Sequence, residues 1–208
     1  MKSGLVMSYM AKDERRAAIL NAAIKVALSD GFMNITTRKV SAELGAATGI
    51  IHHHFSSTAE LRREVFRQFT LRDHQDVCNR IIGMTLPEQL FHLLDYSNTS
   101  PEDPAYKLWN DAWAEAVRDK ALSQIYSDSL VMLHKTVVDV IEQGCHQGYF
   151  HPDTRTESIA TKAWRLMSIS FGAMSISDIN PALLLPVSSA ELLRNSIRSE
   201  LGQKSITD

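Results

Sequence analysis

Three consecutive histidines, His52, His53 and His54, nearly close the stretch TTRKVSAELGAATGIIHHHFS, which also holds paired threonines, a basic pair and two glycines. Imidazoles bind metals, move protons or touch anions, and spacing separates these uses. A helical zinc pair stands at i and i+4, so that both rings face one ion. Neighbours on a helix diverge by about 100°, so the triplet does not read as a metal site. The remaining histidines, His74, His92, His134, His146 and His151, form no such pair either. Catalysis fares no better. The chain has no phosphate-binding glycine loop, no nucleophile elbow and no strand to carry one. Cys145 and His146 are neighbours that point apart on a helix. No catalytic residue, metal or cofactor is expected, and contact with an anion remains.

The elements that must present these side chains read as helix throughout. Ile19, Ala22, Ala23, Val26 and Ala27 form one apolar stripe between about Asp13 and Ser29, with Gly31 at the C-cap position. Thr36 or Thr37 can cap a short second helix that buries Val40 and Leu44 and ends at Gly45. A third begins near Ala47 or Thr48 and runs to Phe55. Ser57 and Glu60 have capping-box spacing at the head of a long helix reaching about Gly83. Further helices are expected from Pro87, from Ala105 to Val117, from Lys120 to Gln147, from Thr154 to Met174, and around Leu192 to Leu201. Loops are expected at Ser97 to Pro104 and across SDINPALLLPVSS. The fold class is all-α.

Two short helices joined by LGAA form a helix-turn-helix pattern, whose second helix enters the DNA major groove. With Ile51 at zero on a helical wheel, Phe55 falls at about 40° and His54 at about −60°, the core side and its edge. Thr48, Gly49, Ile50, His52 and His53 then make the outward surface. Glycine there costs about 1 kcal/mol of helix stability against alanine, a cost that close approach to another backbone explains. Thr48 and His53 suit base edges, Ile50 a thymine methyl, and His52 a phosphate. Phosphates would favour protonated His52 and His53, so DNA affinity is expected to rise as pH falls from 8 to 6.

Charge distribution agrees. Residues 1–80 carry 12 Lys/Arg against 8 Asp/Glu, and residues 81–208 carry 10 against 16, within a formal net charge of −2. A basic front joined to an acidic back hints at nucleic-acid contact by the front. The two cysteines, Cys78 and Cys145, have no partner motif and suit a reducing compartment. The first residues lack the apolar run of a signal peptide, and no stretch reaches the length of a membrane span. A cytoplasmic address with no membrane partner is expected.

The segment ITTRKVSAELGAATGIIHHHFSSTAEL, Ile35 to Leu61, resembles the DNA-binding signature of TetR-type regulators. YKLWNDAWAEAVRDKALSQIY and IEQGCHQGYF resemble the C-terminal domain of the choline-responsive BetI branch, and TGII agrees with that branch. The resemblance implies a three-helix DNA-binding domain, residues 1–56 with an N-terminal tail, and a larger helical ligand-binding and dimerisation domain, residues 57–208. It implies a homodimeric repressor of a palindromic double-stranded DNA operator, released by a small-molecule effector. By the same resemblance Thr37 contacts a phosphate and Arg38 a base or phosphate. Thr48, Gly49 and Ile50 face base edges. His52 stands at a phosphate-contacting tyrosine position, and His53 and His54 continue that edge. Ala47 replaces the common serine cap, a loss of about 1 kcal/mol. Thr58 replaces a phosphate-gripping lysine, leaving that work to the amides at the head of the long helix.

In the back half, Tyr106, Trp109, Trp113, Met167 and Phe171 are the candidate lining of an effector cavity. Aromatics in an acidic domain suit an organic cation. By the same resemblance the helices carrying the small residues Ala160, Ala163, Ser170, Gly172 and Ala173, and Leu192, Leu193 and Ile197, would pack against their copies in a second subunit. Two alternatives stay open. One is a ligand-independent dimeric DNA-binding protein; the other is an all-helical protein that does not bind DNA.

Overall fold

The computed structural model describes residues 12–96, 100 and 102–202, in which nine α-helices and no strand occur. The expected N-terminal tail up to residue 11, and residues 97–99 and 101 of the expected Ser97–Pro104 loop, lie outside the described residues. The helices are α1 (Lys12–Asp30), α2 (Thr37–Leu44), α3 (Thr48–His54), α4 (Thr58–Arg80), α5 (Leu86–Leu94), α6 (Pro104–Ala116), α7 (Lys120–His146), α8 (Ile159–Ile179) and α9 (Ser189–Leu201).

Local chemistry places most of these ends. Thr36 caps α2 by accepting the Lys39 N–H at 3.2 Å, and Gly45 ends it in the left-handed region at φ 67°. Thr85 and Glu88 form a reciprocal capping box at α5, with proline in its first turn. Asp103 caps α6, and Ser158 caps α8 through the Thr161 N–H. That last cap corrects the expected start at Thr154, because the Asp153 carboxylate holds Arg155 in a tight turn instead. The expected SDINPALLLPVSS loop also contains structure: α8 continues to Ile179, and a 3₁₀ turn follows at Pro181–Leu184.

The chain divides into two compact units, Met1–Asp73 with Ser100–Ser129, and His74–Thr99 with Leu130–Asp208. This division follows packing and does not coincide with the expected functional boundary at 56/57. The first unit is built on Ile19, Ala23, Phe32, Val40, Ile51, Phe55, Leu61, Phe66 and Leu108. Both expected core positions around α3, Ile51 and Phe55, are almost wholly buried. The second is built on Leu90, Leu94, Val137, Ile141, Phe150, Leu166, Met167, Ile197 and Leu201.

In the second unit α8 packs along α9. Lys162 and Arg165 of α8 meet Glu200 of α9, and Arg165 also meets Glu157. Part of the small-residue stripe is used here. Ala163, Ser170 and Ala173 are buried within the unit, and Ser170 Oγ donates to the Leu94 carbonyl. Leu193 and Ile197 are buried in the same core, so they serve the fold of one chain, whereas Ala160 and Gly172 are exposed.

Candidate nucleic-acid interface

The α3 helix follows α2 after a three-residue turn and packs against it in the first unit, and α2 packs against α1. Ala47 precedes α3 without a side-chain cap, as the serine replacement implies. With Ile51 buried, the wheel of α3 is fixed. Thr48, Gly49, His52 and His53 are exposed, as is Arg38 on α2, while Thr37 is half-buried at the head of α2. Gly49 has an ordinary helical backbone, and a Cβ added there would meet nothing within 4 Å. No neighbour among the described residues therefore requires a glycine.

Two of the expected contacts sit differently. Ile50 was placed on the outward surface, but it is half-buried and packs against the core of the first unit. At about 100° from Ile51 it stands at the flank of the wheel, where an apolar side chain can lean onto its neighbours. His54 is half-buried, and its Nδ1 is shut from solvent with no hydrogen-bond partner among the described residues. Burial, then the positive charges of Lys12, Arg15 and Arg16 and the neighbouring His53, hold its imidazole below the ordinary value of 6.5. His54 thus faces the cationic start of α1.

At the head of α4 the expected capping box is shifted by one residue. Ser57 Oγ accepts the Glu60 N–H at 3.1 Å, but the Glu60 carboxylate reaches back to Ser56, taking its N–H at 2.7 Å and its hydroxyl at 2.6 Å. These bonds keep the Glu60 carboxyl below the usual carboxylate range. The N-terminus of α4, beside half-buried Thr58, therefore already holds an anion. Its capacity to grip a phosphate is reduced accordingly. Nearby, Arg16 lies over the Phe55 ring at 4.4 Å and pairs with Glu64 at 3.3 Å, tying α1 to α4.

The candidate effector residues fall in both units. Tyr106, Trp109 and Trp113 belong to the first. Tyr106 is buried; Trp109 is half-buried against Phe66, Phe69 and Tyr126, with ring centroids 5.2 to 5.9 Å away. Its indole N–H donates to Asp73 Oδ2 at 3.0 Å. Burial pushes the Tyr126 phenol up to about 12. Trp113, one turn on, is 60% exposed and does not share these surroundings. Met167 lies in the core of the second unit, and Phe171 packs against Tyr96 at 5.6 Å. Sequence reasoning did not find Phe66, Phe69, Tyr126 or Asp73, because their convergence depends on how α4 and α7 pack against α6. Among the described residues no group of three His, Cys, Asp or Glu side chains is disposed to hold a metal ion. None of the described helices is long and apolar enough to cross a membrane.

Known proteins resemble the chain in both its helix-turn-helix segment and its fold. Residues 19–65 match the model of bacterial regulatory proteins of the tetR family. The chain is 24% identical over 154 residues to the HTH-type transcriptional repressor KstR2 of Mycobacterium tuberculosis, covering 68% of this chain and 72% of the relative. Its fold is that of a transcriptional regulator from Saccharomonospora viridis solved in complex with choline. There the TM-score is 0.66 and the identity 21%, with 90% of this chain and 97% of that one covered. Escherichia coli NemR in its reduced form gives a TM-score of 0.69 at 14% identity, covering 92% and 100%. Residues 19–65 thus resemble the tetR-family DNA-binding segment, and the solved structures share the all-helical fold of the chain. The family and the curated relative are transcriptional regulators, not enzymes.

Proposed function

We propose that the chain is a sequence-specific DNA-binding repressor that acts as a cytoplasmic homodimer on a palindromic operator and is released by a small organic effector. The observation that carries this reading is the exposed face of α3, where Gly49 has open space in place of a side chain. A glycine that costs helix stability and relieves no contact among the described residues makes sense when a partner's backbone must come close. In this reading Thr48, Gly49 and His53 face base edges, Thr37, Arg38 and His52 face phosphates, and Ile50 contributes its exposed edge. His54 supports α3 from behind, and residues up to 56 form the DNA-reading domain. A seven-residue recognition helix spans few base pairs, so two copies related by symmetry give the operator its length.

For the effector, the supporting observation is the Trp109 environment. Phe66, Phe69 and Tyr126 surround the indole, and the Asp73 carboxylate stands at its N–H. Aromatic faces beside a carboxylate favour an organic cation, the chemistry that choline represents in the Saccharomonospora viridis complex.

Fluorescence anisotropy of the purified protein with DNA flanking its own gene, against excess random competitor, tests the reading. Binding that survives competitor supports it. If competitor abolishes that binding, and selection from a random library also yields no preferred sequence, the reading fails. Choline and related quaternary amines can then be screened for release of the bound DNA.

A further inference from the structure

The turn between α1 and α2 sets where the helix-turn-helix hangs, and its backbone is held by ionised side chains from outside it. Gly31 leaves α1 at φ 97° and ψ 153°, a conformation essentially confined to glycine. Phe32 follows with its ring wholly buried, edge-on to Phe66 at 6.0 Å. It opens a 3₁₀ turn, Phe32–Asn34, whose leading amides have no partner inside the turn. The Phe32 N–H instead donates to Asp111 Oδ2 at 3.1 Å, and Asp111 lies in the second half of α6. From the α4 side, Arg62 donates through Nε to the Ile35 carbonyl at 3.3 Å and through Nη2 to the Met33 carbonyl at 2.5 Å. Thr36, the cap of α2, comes next.

We propose that Asp111 is a positioning residue for DNA recognition. By accepting the Phe32 amide it fixes the α1–α2 turn and, through it, the angle at which α2 and α3 are presented. The inference rests on the DNA-binding reading above. Its physical basis is that a carboxylate on a backbone N–H is a charge-assisted bond, stronger than one between neutral groups. A methyl group on Gly31 would lie 3.4 Å from the same Oδ2, so the carboxylate also sits closely against the turn's backbone. Asparagine would keep an acceptor oxygen at this place, and leucine would keep the bulk without one.

The test compares the full chain with Asp111→Asn and Asp111→Leu. Operator affinity is read by anisotropy, exchange of the Phe32 amide by NMR, and folding by the protection of α1 and α4. Asp111→Leu is expected to lose at least tenfold in affinity and to exchange Phe32 at least tenfold faster, with α1 and α4 still protected. Asp111→Asn is expected to recover most of both. Affinity within twofold of wild type in the leucine variant overturns the proposal, and so does lost affinity with unchanged Phe32 exchange. Should the leucine variant not fold, Asp111→Ser, polar but too short to reach the amide, is held to the same outcomes. If the wild-type chain ignores operator DNA, the functional reading fails and removes the DNA role. The Phe32 exchange rate would still decide separately whether Asp111 holds the turn.

Discussion

Replacing Gly49 by alanine should raise the stability of the protein while lowering its affinity for DNA, a combination that an incidental glycine cannot produce. The new methyl would meet nothing within 4 Å, and the backbone there is ordinary helix, so no clash or strain opposes it. Alanine improves on glycine in a helix interior by roughly 0.5–1 kcal/mol. Gly49 is the second residue of α3, so the gain falls at the lower end. For a domain of this size, about 0.5 kcal/mol corresponds to a rise of about 1–2 °C in the melting temperature. If the α3 backbone lies against DNA, the same methyl must push the two surfaces apart. A tenfold loss of operator affinity corresponds to about 1.4 kcal/mol, and at least that loss is expected. Differential scanning calorimetry and competitor-controlled anisotropy on one preparation give both numbers. An alanine variant that melts higher and binds its operator with undiminished affinity would refute the close-approach argument, and with it the assignment of this face to DNA.

Three other expectations follow from the geometry. Asp119 caps α7 with Oδ1, accepting from Ala121 and Leu122, while its Oδ2 takes two donors from Arg63. Asp119→Ala should therefore cost about 1–2 kcal/mol, roughly 1 for the cap and less for the partly exposed ion pair. Urea unfolding should show Asp119→Asn, which keeps the capping oxygen, losing less; equal losses would contradict the division of labour. For His54, burial and then Lys12, Arg15, Arg16 and His53 depress protonation in the folded state. The unfolded chain then takes the proton first, so stability is full above 6.5 and declines as pH falls from there to the lower native value. Thermal melts between pH 7.5 and 5 should show this decline, with a shallower slope in His54→Gln; parallel slopes would argue against the assignment. His52 and His53 are exposed on the other side of α3. If His52 donates to a phosphate, His52→Ala should weaken operator binding by about fivefold at constant pH, the worth of about 1 kcal/mol for one hydrogen bond. Unchanged affinity in that variant, measured by competitor-controlled anisotropy, would remove phosphate contact from His52.

The helix-turn-helix was legible because its determinants are local. Thr36 reaches an amide three residues away, Gly45 takes the left-handed cap, and a wheel anchored on Ile51 separates the buried from the exposed side of α3. The wheel erred for Ile50 because flank positions are decided by neighbouring helices. The capping residues of α4 were recognised, but Ser57 and Ser56 were indistinguishable in advance as the target of Glu60, since both lie within reach of its side chain. The α8 start was misplaced because polar residues between Asp153 and Ser158 are compatible with helix, and a local Asp153–Arg155 turn won. The aromatic cluster around Trp109 was only partly visible. Its members come from α4, α6 and α7, and spacing within one helix cannot report which rings meet across three. Asp111 and Phe32, 79 positions apart, left no local signal at all.

Between Thr48 and His54 the proposed reading helix carries no lysine or arginine. Each phosphate neutralised by a fixed cation releases condensed counterions, which supplies essentially all of a protein's hold on arbitrary sequence. A helix of threonine, glycine, isoleucine and histidine carries no fixed cation, so its own contribution to the salt dependence of binding should be small. Such a surface has little reason to linger on the wrong site. The hold on arbitrary sequence then falls to cations outside α3, Arg38 among them, so the helix itself adds discrimination without adding to the time spent on wrong sites.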